Sequence, residues 1–106
     1  MEIKETGLLR SLDKLMPGQS FDQAMTHLLF GEARRKLLRY EAENRRFEQK
    51  YQLSFQEFRH RILSSEPNED TEQDYFDWEL AVTGMEDMNA EVKNLAEMME
   101  WAIPAS

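Results

Sequence analysis

The chain of 106 residues contains no cysteine, only four glycines and three prolines, and no long apolar run. Each scarcity excludes something. Without cysteine there is no disulfide framework and no thiolate nucleophile or metal ligand. Four dispersed glycines cannot make a phosphate-cradling loop. No segment approaches the roughly 18 apolar residues of a membrane span. The N-terminal stretch MEIKETGLLRSLDKLMPG interleaves charges with its leucines and lacks the apolar core of a secretory signal. A cytoplasmic, non-membrane protein is expected.

Bases are scarce in one half. Residues 1–61 hold 12 Lys+Arg and 9 Asp+Glu, whereas residues 62–106 hold Lys93 alone against 12 acids. The balances of +3 and −11 give the net −8. Such asymmetry points to a charged partner, or to an acidic helix lying on a basic one. The length sets a single domain, 1–106, with a basic half (1–61) and an acidic half (62–106).

Four segments have helical periodicity and none alternates as a strand does. Leu8, Leu9, Leu12 and Leu15 share one side of a piece spanning residues 4–15, which Pro17-Gly18 ends. Ser20 to Gln23 has capping-box form and opens a helix running to about Tyr51, which Gly31 weakens without breaking. Ser54 to Glu57 is a second box, opening a short helix to about Leu63. A loop with Pro67 follows. Thr71 is the expected cap of a last helix reaching about Trp101, before Pro104. Its apolar positions are Tyr75, Trp78, Val82, Met85, Val92, Leu95, Met99 and Ala102.

In the second helix Phe30, Ala33, Leu37, Tyr40, Asn44, Phe47 and Tyr51 recur at spacings of three and four. That is a heptad seam. A polar Asn44 inside it either fixes register and oligomeric state or marks a wet end of the seam. The expected fold is all-α: a long antiparallel helical hairpin with short N-terminal and connecting helices. One hairpin has a thin core, so completion as a homodimeric bundle is expected, with Phe30, Leu37, Tyr40, Asn44, Phe47 and Tyr51 as the oligomer seam.

Chemistry has little to stand on. There are two histidines. Glu57-x-x-His60 is half of a di-iron motif, and Glu32 is a conceivable further ligand; the bland reading is a surface histidine near a loop. Neither histidine has an arginine at the upstream spacing used by helical ribonucleases of the HEPN type. No cofactor is expected. Arg34, Arg35, Lys36, Arg39, Arg45, Arg46 and Lys50 make a basic helix. Glu32, Glu41, Glu43 and Glu48 interleave with it, so a solvated or internally paired face is expected rather than direct nucleic-acid binding.

The segment DYFDWEL is both aromatic and acidic. Asp74, Tyr75, Phe76, Asp77, Trp78 and Glu79 would suit a grip on a basic protein, with rings as anchors and acids for steering. On a helix Tyr75, Trp78, Val82 and Met85 share a face and Phe76 lies outside it, so the opposing reading places much of the set in the core. Met85, Met88, Met98 and Met99 would make such a surface adaptable.

These residues also carry a resemblance. Lys50-Tyr51, Ser54-Phe55-x-Glu57-Phe58 and Asp74-Tyr75-x-x-Trp78-Glu79, within roughly residues 45–82, resemble small helical prokaryotic proteins identified as antitoxins of toxin–antitoxin pairs. In that group glycine usually follows the Lys-Tyr, where this chain has Gln52. The resemblance implies a cytoplasmic, helical, non-enzymatic neutraliser of a partner toxin, often a ribonuclease. The alternatives to it are a di-iron protein using Glu57 and His60, or a structural coiled-coil adaptor.

Overall fold

The computed structural model describes residues 2–66 and 68–102. The side chains of residues 2–6 and 100–102 lie outside that description, as do Pro67 and Pro104, expected at a loop and beyond the last helix. Among the described residues four helices follow one another: α1 (Glu2–Leu15), α2 (Phe21–Tyr51), α3 (Phe55–Leu63) and α4 (Glu69–Ala102). There is no strand among the described residues. The long helices α2 and α4 pack on each other as a hairpin.

The helix boundaries follow local chemistry. Before α2, the Ser20 N–H donates to Gln23 Oε1 at 2.8 Å and the Gln23 N–H to Ser20 Oγ at 3.1 Å. Ser54 and Glu57 repeat this reciprocal pairing at α3. The start of α4 differs from expectation. Asn68, not Thr71, is the cap: its Oδ1 accepts from the Thr71 N–H at 2.8 Å and from the Thr71 hydroxyl at 2.7 Å. Asparagine caps at least as well as threonine, so the helix starts earlier and takes Glu69, Asp70 and Glu72 into its first turn.

α2 ends at an unusual residue. Gln52 has φ 56°, in the left-handed region that normally selects glycine. Its backbone N–H donates to the Glu48 carbonyl and its side-chain amide to the Gln49 carbonyl, both at 2.8 Å. Two carbonyls left open by the helix end are thereby satisfied, which offsets the poor backbone conformation.

The chain divides into two compact units. One joins α1, the start of α2 and the end of α4, and among the described residues its buried apolar side chains are Ala24, Ala33 and Leu95. The other, Arg34–Ala90, holds an aromatic cluster of Phe47, Phe55, Phe58 and Trp78. Tyr51, Leu53, Ile62, Tyr75 and Val82 pack around it. Trp78 is 0 % exposed at the centre. Phe47 stacks on it at 5.5 Å between ring centroids, Phe58 lies at 5.1 Å and Phe55 meets its edge at 5.5 Å. Such ring pairs add to the area they bury.

The contacts of the second unit give the antiparallel sense. Tyr40 meets Gly84, Asn44 meets Trp78, and Lys50 and Tyr51 meet Asp74. As α2 advances, α4 runs back. The Trp78 indole N–H donates to Asn44 Oδ1 at 2.7 Å. The expected oligomer seam is therefore filled from within the chain over Tyr40, Asn44, Phe47 and Tyr51: α4 occupies it. Asn44 serves as the acceptor for a buried indole and is not left at a wet end. Phe30 and Leu37 are half-buried.

Candidate functional site

The DYFDWEL segment is divided by its position on α4. Trp78 points into the core and has no surface to offer a partner, which corrects its place among the expected contact residues. Tyr75 is half-buried against Phe55 and Phe58, and its hydroxyl donates to Glu79 Oε2 at 3.2 Å. Asp74 is engaged by the Lys50 ammonium and the Tyr51 hydroxyl through the same oxygen, Oδ2. Phe76 is left outside, 59 % exposed, and Asp77 is exposed beside it, accepting from the Gln73 side chain at 3.0 Å.

The outward face of α4 reaches beyond the expected segment. Glu69, Glu72, Phe76, Leu80, Thr83 and Asp87 follow one another at helical spacings and all are exposed. Leu80 is 64 % exposed, one turn from Phe76. An apolar pair thus sits in an acidic surround on a helix whose one base is Lys93. Sequence reasoning missed Leu80 because the aromatic residues drew the boundary. The i, i+4 step from Phe76 was the available signal.

The Asp74 cluster has its own electrostatics. Burial pushes the Asp74 carboxyl up, but the bonds from Lys50 and Tyr51 outweigh it and hold the group below its usual value. Burial, then the bond to Asp74, raises Tyr51; the bond to Asp74 raises Lys50. A depressed carboxylate stabilises the fold above its unfolded value, near pH 4, and this contribution fades as the pH falls through the folded value. A raised tyrosine or lysine acts oppositely, its contribution being lost above about pH 10. The three groups therefore support the fold together across the neutral range. Acid titration of urea-unfolding free energies should show wild type losing stability more steeply below about pH 4 than the Asp74→Asn variant. Parallel acid limbs for the two would contradict this assignment.

The Glu57 and His60 pairing fares differently. Glu57 accepts the Ser54 N–H at 3.1 Å, and the hydrogen bonds of this cap lower its carboxyl's pKa. His60 and Glu32 are exposed. Among the described residues no group of three or more His, Cys, Asp or Glu side chains is placed to hold a metal ion. Glu57 is thus a capping residue in a local helix start, as its SFQE context implies.

Among the described residues no helix is long and apolar enough to cross a membrane. No protein family, curated protein or solved structure matches the chain.

Proposed function

We propose that the chain is a non-enzymatic binding module that neutralises a basic protein partner, in the manner of an antitoxin covering the RNA-binding surface of a ribonuclease. The observation that carries this reading is the exposed Phe76–Leu80 pair on the acidic outward face of α4. Water-exposed phenylalanine and leucine one turn apart gain most when a partner covers them. Surrounding carboxylates favour a cationic surface and speed its encounter. The resemblance over residues 45–82 supports the same class of function. The fold leaves Asp74 and Trp78 to hold α4 in place, and Tyr75 and Glu79 to brace each other, so the contact set is Phe76 and Leu80 with Glu72, Asp77 and Asp87.

The test is co-expression of the tagged chain with the protein of its neighbouring reading frame, followed by calorimetry on the purified pair. A stoichiometric basic partner is expected. Phe76→Ala combined with Leu80→Ala should weaken binding by about 100-fold or more, the range of a central hot spot, with helix content unchanged. Equal affinity of the double variant would remove this face from the function.

A further inference from the structure

The unit formed by α1, the start of α2 and the end of α4 carries a surface that the proposed function does not use. Across the Pro17-Gly18 turn, α1 and α2 form an open cleft of about 450 Å³. Leu8, Leu15, Phe21, Met25 and Leu28 line it and are 37–77 % exposed. Leu9 and Leu29 are exposed as well, on the same two helices. Among the described residues Ser11 is the one polar side chain lining the cleft.

We infer that a second copy of this chain covers the cleft, so that the protein is a two-fold dimer joined through α1 and the first turns of α2. Two observations select that occupant. The first is area. A standard interface takes about 800 Å² from each partner, and the five large apolar side chains that line the cleft, each more than a third exposed, supply much of it. Monomers seldom leave so much apolar surface in water. The second is charge. Among the described residues none of the side chains that line the cleft is charged. A cleft meant for a basic or an acidic partner would carry the opposite sign. An uncharged lining suits its own image instead, because a two-fold axis sets the same apolar side chains against each other. This dimer does not use the seam of α2, which α4 fills over Tyr40, Asn44, Phe47 and Tyr51.

Light scattering on the full chain at tens of micromolar decides it. Wild type is expected at twice 12.6 kDa. Leu15→Glu combined with Leu28→Glu should halve the mass while far-UV circular dichroism stays unchanged, since both side chains are exposed. Leu15→Met with Leu28→Met should remain dimeric, and so should Phe76→Glu with Leu80→Glu, which separates this dimer from partner binding on α4. If the glutamate pair costs helix content, Leu8→Glu with Phe21→Glu provides a second route to the same dissociation. A monomeric wild type would overturn the inference and give the cleft to another molecule. A dimer that survives both glutamate pairs would overturn it too.

Discussion

Replacing Trp78 with alanine should cost about 3–5 kcal/mol and leave the chain without a sharp unfolding transition. Three losses coincide there. The largest side chain of the core disappears, and it is 0 % exposed. Phe47, Tyr51, Phe55 and Phe58 lose their common neighbour, so the cavity is walled by rings from two other helices. Such rings cannot close the space without moving α3 or the end of α2. Asn44 also loses the indole donor that satisfies its oxygen. A whole domain is commonly stable by only about 5–15 kcal/mol. Urea unfolding followed by circular dichroism checks the expectation. Phe76→Ala is the control, two residues away and exposed, and should change stability by no more than about 0.5 kcal/mol. A loss below about 1 kcal/mol for Trp78→Ala would mean that the cluster can re-form without it.

Gly84→Val should be the next most damaging single change, costing about 2–3 kcal/mol. Gly84 is buried in the middle of α4, where glycine is a poor helix former. Its reason is Tyr40. A Cβ at position 84 would lie 2.6 Å from Cε2 and Cζ of that ring and 2.7 Å from Cδ2, well inside contact distance. α2 and α4 approach closely here because one side chain is missing. Valine adds three carbons to a space that does not hold one. Shrinking the opposing residue isolates the cause. In a Tyr40→Ala background the same substitution should cost little, and Gly84→Ala should stabilise the chain by up to about 1 kcal/mol through helix propensity alone. A penalty of equal size in both backgrounds would show that Tyr40 is not the obstacle.

Much of the architecture was legible because it is local. The capping boxes at Ser20 and Ser54 are short-range hydrogen-bonding patterns, and both form where the residues predict. The heptad positions of α2 were legible too, down to the polar residue among them. What faces them was not. Whether Phe47 and Asn44 meet a second chain or α4 depends on the register of two helices distant in sequence, and a single period leaves that open. Gly84 was hidden for the same reason: its meaning lies in Tyr40, on the facing helix. In DYFDWEL the helical angle correctly separates Phe76 from Trp78, but composition suggested a single acidic and aromatic surface. The structure turns one end of that segment inward through Asp74 and Trp78. Gln52 is a further case. Its left-handed backbone would favour glycine, and only the folded chain shows which carbonyls let glutamine serve.

The aromatic cluster also ranks the order in which its contacts are easiest to make. Tyr51 and Phe58, with ring centroids 4.4 Å apart, sit on either side of one turn and close a loop of very few residues. Contacts of Trp78 with Phe47 and Asn44 close loops several times longer, and loop-closure entropy rises with that length. The end of α2 and the whole of α3 can therefore fold onto each other before α4 is in place, held by a ring pair and the Ser54 cap. Trp78 can then enter a seat walled by Phe47, Tyr51 and Phe58. Contacts of low sequence separation favour rapid folding, and the Tyr51–Phe58 pair is one of them.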